Sequence, residues 1–151
     1  MAAFETEVVL QANAEELFDF LIQPTNIKSI SPPEMGLKFL EAPDRYSHEC
    51  EIMFAVQTMG HIQEITHRIT HFESPNLFVE ELVVGPLKLW VHSHHFTVLE
   101  SGATLVKDVI EFQPPGGLIG LMMTESRILD SLEDGFYYRH QQLEKLFPTD
   151  D

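Results

Sequence analysis

The chain has 151 residues, 44% hydrophobic and 22% charged, the size and balance of one globular domain over 1–151 with room for a real core. Its 24 acidic residues against 9 basic ones give a formal charge of −15, a field that repels phosphate backbones and anionic lipid, so neither nucleic acid nor stable membrane association is expected. A single cysteine, Cys50, rules out an internal disulfide; no apolar run reaches the ~18 residues of a membrane span; and the start Met1-Ala2-Ala3-Phe4-Glu5 lacks a leader pattern, so we expect a cytoplasmic protein.

Phe4 to Leu10 alternates and reads as a first strand. Asn13 can cap a helix, with Glu16 three residues on, and Leu17, Phe18, Leu21 and Ile22 supply its buried side. Pro24 disfavours helical geometry in the residue before it, and can itself start a second short helix, closed by Ser31-Pro32-Pro33. Six strands are expected next: Leu37 to Glu41, Glu49 to Thr58, His61 to Phe72, Leu77 to Val84, Leu89 to Glu100 and Ala103 to Phe112. Met59-Gly60, Glu73-Ser74-Pro75-Asn76, Gly85-Pro86 and Ser101-Gly102 are the turns between them. The frayed tail is placed at Pro148 to Asp151.

The last segment organises the rest. Pro114-Pro115-Gly116-Gly117 breaks the final strand, and Gly116 to Phe147 then reads as one long helix. Leu118, Met122, Leu129, Leu132, Phe136 and Leu143 form its apolar stripe, to be buried against the sheet. Sequential antiparallel strands with helices kept to one side make an α+β domain, in the order β-α-α-β6-α. A curved antiparallel sheet of about seven strands would wrap around the C-terminal helix, with a cavity between.

Alternation puts Trp90, His92, His94, Phe96 and Val98 on one face of their strand, Val106, Asp108, Ile110 and Phe112 on one face of the next, Phe78, Glu80, Leu82 and Val84 on a third, and Ile65, His67 and Ile69 on a fourth. Periodicity alone does not say which faces turn inward. If these do, three histidines and two carboxylates project into an apolar interior. His92-x-His94 with His67, Glu80 or Asp108 has the composition of a zinc or iron site. A His–Asp pair could act as general acid and base, with His92, His94 and Asp108 as the catalytic candidates. A mutually satisfied polar network explains the same residues without either role. We expect no metal and no cofactor. Gly116, Gly117 and Gly120 lack the context of a nucleotide loop. Met122 has the adaptable side chain suited to the mouth of a promiscuous apolar pocket.

The order of elements resembles the helix-grip fold of the START-like (SRPBCC) superfamily, and more narrowly its small bacterial ligand-binding, polyketide cyclase/dehydrase-like members. The resemblance rests on Ala14-Glu15-Glu16-Leu17-Phe18-Asp19-Phe20, Pro24-Thr25-Asn26, Phe78-Val79-Glu80-Glu81, Trp90-Val91-His92-Ser93-His94-His95-Phe96 and Thr104-Leu105-Val106-Lys107-Asp108. It implies an elongated cavity between sheet and helix that holds a hydrophobic or aromatic small molecule, and no particular reaction. The expected lining is Ile65, His67, Phe78, Glu80, Leu82, Trp90, His92, His94, Phe96, Asp108, Ile110 and Met122. The function expected is to bind, carry or sequester such a molecule. The alternatives are a cyclase/dehydrase-like enzyme acting on a polyketide-like substrate, and a partner-binding module, which would show an exposed apolar patch.

Overall fold

The computed structural model describes residues 1–58 and 60–148. Strand β1 (Ala2–Leu10) leads to α1 (Ala14–Leu21), α2 (Pro24–Ser29) and one 3-10 turn at Pro33–Met35. Strands β2 (Lys38–Glu41), β3 (Glu51–Thr58), β4 (His61–Glu73), β5 (Leu77–Val84), β6 (Leu89–Val98) and β7 (Thr104–Gln113) follow, then α3 (Gly117–Met122) and α4 (Glu125–Leu146). The strands form one antiparallel sheet in the order β1-β7-β6-β5-β4-β3-β2. Consecutive strands from β2 to β7 are therefore neighbours, and β1 closes the meander by pairing with β7. The sheet is curved and unclosed, with β1 and β2 at its edges. This is the α+β helix-grip architecture that the order of elements predicts. Met59 and residues 149–151, part of the expected turn and tail, lie outside the described residues.

Local chemistry accounts for the helix ends. Asn13 is extended, and its Oδ1 accepts the Glu16 amide N–H at 2.7 Å, satisfying one of the donors that a helix N-terminus leaves unpaired. Pro24 occupies the first turn of α2, where its missing N–H has no role to fill. On the inner side of α1, Leu17, Phe18 and Leu21 are buried. The Phe18 ring sits among Phe72, Phe78 and Phe96 with centroids 5.2–5.5 Å away in edge-on arrangements, the geometry aromatic pairs prefer. Leu10, Ile30, Ile52, Ile69, Val106 and Leu143 complete this core. A second, smaller core joins Ile128 and Phe136 of α4 to Ala2, Ile110 and Phe112.

The C-terminal segment departs from the single helix expected. At Thr124 the backbone is extended (φ −77°, ψ 161° at Asn13 and φ −79°, ψ 159° here being the same cap geometry), and Thr124 Oγ1 accepts the Arg127 N–H at 3.3 Å. A new helix starts there, so the apolar stripe is interrupted. Leu118 and Met122 are 82% and 53% exposed, not buried as expected. Phe136 and Leu143 are buried as expected, Leu129 and Leu132 are partly buried, and Ile128, absent from the expected stripe, is buried with them. The glycines of this corner serve backbone geometry. Gly117 has φ +63°, a left-handed conformation that a side chain would oppose. A Cβ on Gly120 would lie 2.3 Å from the Pro115 carbonyl oxygen.

Candidate functional site

Cross-strand register gathers the ionisable residues. Glu80 of β5 lies opposite His92 of β6, and His94 of β6 lies opposite Asp108 of β7. His67 of β4 is opposite Leu82, one inward position along β5 from Glu80. Directly opposed and diagonal residues on one face of a sheet are within side-chain reach, so four strands deliver five polar side chains to one spot. All five turn inward, on the faces that alternation marked out.

They satisfy one another. Glu80 Oε2 is 3.0 Å from His67 Nδ1, and Glu80 Oε1 is 2.8 Å from His94 Nε2. Asp108 Oδ2 lies 2.6 Å from His92 Nε2 and 3.2 Å from His94 Nδ1. Both nitrogens of His94 therefore face carboxylates, which suits an imidazolium donating twice. Burial works against that charge, but the hydrogen bonds to Asp108 and Glu80 outweigh it and raise the His94 pKa. Burial likewise opposes ionisation of Glu80 and Asp108. The histidine hydrogen bonds prevail in each and hold both carboxyls well below the usual range. His92 goes the other way: burial, and then the neighbouring His94 cation, push it down to about 4, so it stays neutral near pH 7. The His94 ring is sandwiched, with Phe78 at 3.9 Å and His92 at 3.7 Å between centroids.

Among the described residues, Glu80, His92 and His94 come closest to a metal-ligand set, with one ligand atom from each within 4.8 Å of the others. Their arrangement does not suit a shared ion. Lone pairs lie in the imidazole planes, and the His92 and His94 rings stack 24° from parallel, so those pairs run side by side instead of converging. The one ring nitrogen of the pair without a hydrogen bond is His92 Nδ1, 3.6 Å from Glu80 Oε1.

The cluster forms part of the wall of a cavity of about 260 Å³ between the sheet and α4. Ile65, His67, Glu80, Leu82, Trp90, His92, His94 and Ile110 line it. Phe78 and Phe96 lie behind the wall, packed on Phe18. Asp108 is 3% exposed and braces His92 and His94 from the rear. Met122 stands on the exposed side of α3, and Met123 beside it reaches the outer groove instead.

Sequence reasoning missed the facing wall. Met35, Phe39, Tyr46, Ile52 and Phe54 come from the 3-10 turn, β2, β3 and the loop between those strands, while Leu132, Phe136 and Arg139 come from α4. The spacing of Arg139, three residues after Phe136, was the available signal, since residues three apart share a helix face. The Arg139 guanidinium carbon lies 5.1 Å from the Phe136 ring centroid. Outward, past Met35, Val56, Ile65, Leu87, Trp90 and Leu132, the cavity meets a wide groove along α4, bounded by Met123, Ile128 and Tyr138.

No family model matches the chain, and no curated protein matches it. Solved structures do. Protein CV1439 from Chromobacterium violaceum superposes with a TM-score of 0.75 at 14% identity, over 99% of this chain and 100% of that one. A START superfamily protein from Mycobacterium smegmatis gives 0.71 at 15% identity, over 95% and 98%. The ginseng major latex-like protein 151 from Panax ginseng gives 0.70 at 12%, over 98% of each. Likeness at these identities speaks to fold, and function still has to come from the site. The chain has a helix-grip fold, similar to that of the START superfamily protein.

Proposed function

We propose that this protein binds a hydrophobic or aromatic small molecule in the cavity between sheet and α4, and carries or sequesters it. The observation that carries this reading is the composition of the wall: broad aliphatic and aromatic surface broken by a few convergent polar groups. Small-molecule sites are generally built this way, with apolar area for affinity and sparse polar anchors for orientation. Each buried ligand methylene contributes about 0.8 kcal/mol, so eight to ten carbons support roughly micromolar binding after association costs. The polar cluster favours holding over transforming, because its carboxylates already take histidine N–H groups as partners and, among the described residues, no nucleophile stands beside a base in the cluster.

Two other readings each have one observation on their side. Neutral His92, oriented by Asp108 and lining the cavity, is a candidate general base for a cyclase/dehydrase-like reaction. The exposed apolar side chains of α3 are the patch that a partner-binding module would show.

The test is native mass spectrometry of the freshly purified protein, followed by titration of ligand-stripped protein with the uncharged fluorophore N-phenyl-1-naphthylamine. We expect a retained apolar molecule or saturable probe binding. Leu132→Trp, which fills the neck between cavity and groove, should weaken that binding at least ~10-fold while the melting curve stays cooperative. Absence of both a retained molecule and saturable binding would refute the proposal.

A further inference from the structure

The basic residues of this chain are few and its acidic ones many, 9 against 24. Pairing is correspondingly easy, and Arg45 with Asp19, Arg68 with Glu51 and Lys107 with Glu5 show it on the surface. The other basic residues make no ion pair among the described residues, and of these Arg139 stands apart by its position. It is partly buried and lines the cavity. Among the described residues no carboxylate comes within ion-pair distance of it, and no acceptor takes its N–H groups. Its neighbours on the same helix face, Gly135, Phe136, Gln142 and Leu143, carry no acid. What it has is the face of Phe136, over which its guanidinium carbon sits 5.1 Å from the ring centroid.

Tyr46 offers a second donor on the same wall. It is 5% exposed and lines the cavity, and its hydroxyl makes no hydrogen bond to the described residues. Burial pushes the phenol pKa up, Glu80 pushes it further, and Arg139 opposes them, so the hydroxyl stays protonated and lies within electrostatic reach of both. Glu80, the one carboxylate on this wall, is already occupied by His67 and His94. Trp90 Nε1 and His92 Nδ1 also lack hydrogen-bond partners on this wall, but its fixed cation is Arg139 and its free hydroxyl donor is Tyr46.

We propose that Arg139 and Tyr46 form an anion-recognition subsite, and that the ligand is an amphipathic monocarboxylate whose apolar body fills the cavity. Planar guanidinium matches a carboxylate in a two-pronged hydrogen-bonded pair, and a phenol can add a third donor. The cavity, at about 260 Å³, has the volume of roughly nine waters at about 30 Å³ each. That suits an acid of about eight to ten carbons. In a protein of strongly negative net charge, a single inward cation also sorts ligands: the general field disfavours an anion outside, and Arg139 reverses the preference at the one place where the ligand rests.

This inference rests on the cavity-binding reading, and the experiment separates the two. Trp90 is the single tryptophan and lines the cavity, so its fluorescence reports occupancy. Octanoate and 1-octanol, matched in chain length, are titrated at pH 7.5 into the wild-type protein, Arg139→Met, Arg139→Gln and Tyr46→Phe. Wild type should bind octanoate at least ~10-fold more tightly than 1-octanol, charge-assisted hydrogen bonds being about twice as strong as neutral ones. Either arginine substitution should bring the ratio of the two affinities to about one, and Tyr46→Phe should lower it by a smaller factor. Two substitutions at Arg139 guard against one that does not fold, which circular dichroism reveals. A wild-type ratio near one, or a ratio that survives both arginine substitutions, overturns the subsite and leaves cavity binding standing. Failure of both probes to bind overturns the two together.

Discussion

Helices α1 and α3 are both short and both rich in apolar residues, yet they end in opposite environments. Leu17, Phe18 and Leu21 of α1 are 0–2% exposed, whereas Leu118 and Leu121 of α3 are 82% and 75% exposed. The difference lies in pattern and partner. In α1, Glu15, Glu16 and Asp19 occupy the outer side, so the apolar residues share one face and meet a complementary hollow of phenylalanines. In α3, Gly-Leu-Ile-Gly-Leu-Met has no polar face at all, and its glycines hold the corner after β7. Apolar content alone does not bury a helix. One end of the domain is thereby sealed by aromatic packing, while at the other the cavity runs out into a groove bordered by the α3–α4 junction.

The sharpest way to break this comparison is to remove its centrepiece. Phe18→Ala should destabilise the fold by about 3–5 kcal/mol in a denaturant melt, the usual range for a buried phenylalanine. Phe136→Ala, which only enlarges an existing cavity, should fall at about 3 kcal/mol, the lower end of that range. Equal losses, or a larger one for Phe136, would contradict a sealed end opposed to an open one.

A smaller effect comes from protons. His92, pushed down to about 4, favours the fold only while neutral. Its contribution is complete above its ordinary 6.5 and is lost as pH falls from there towards 4. His94, with its pKa raised, contributes fully below 6.5, and its share is lost as pH rises through its folded value. Asp108 and Glu80, both depressed, lose theirs only as pH drops below the usual carboxylate range. Denaturation free energies measured from pH 4.5 to 8.5 should therefore peak near pH 6–7, and His92→Gln should flatten the acid limb. A wild-type profile flat over that interval would show the cluster to be uncoupled from folding.

The smallest effect belongs to α3. Leu118→Ser and Leu121→Ser should each shift stability by no more than about 0.5 kcal/mol, as exposed positions do. A loss of 2 kcal/mol or more in the same melt, an order-of-magnitude threshold for a buried leucine, would mean that α3 has a partner in this chain after all.

How far the sequence speaks follows the same division. Alternation grouped His92 with His94 on one face, and Asp108 with Ile110 and Phe112 on another, because a strand has a period of two, but left open which faces turn inward; Asn13 and Pro24 marked helix starts through local chemistry. The break at Thr124 was hidden: apolar residues at helical spacing continue across it, and a threonine within such a run reads equally as a helix residue or a cap. The facing wall was hidden for a different reason. Tyr46 sits in a loop, its amide bonded to the Ile22 carbonyl at 2.8 Å, and no periodicity announces a loop residue's orientation. Arg139 reads as surface by its chemistry and faces the cavity only because Phe136, one turn back, fixes the phase of α4.

The pairing of β1 with β7 has a consequence for how the molecule comes into being. Ala2 lies opposite Phe112 and Leu10 opposite Thr104, so the first strand finds its partner only after most of the chain has been made. On the ribosome the β2–β7 meander can grow hairpin by hairpin while β1 waits unpaired, its own inner residues without cover. Non-local pairing of this kind sets a slow clock, with folding on the order of milliseconds to seconds. The cavity is complete only with α4 in place, and α4 packs against β1. A small molecule present at that packing step could be enclosed as the domain closes, so loading and folding would be coupled in time.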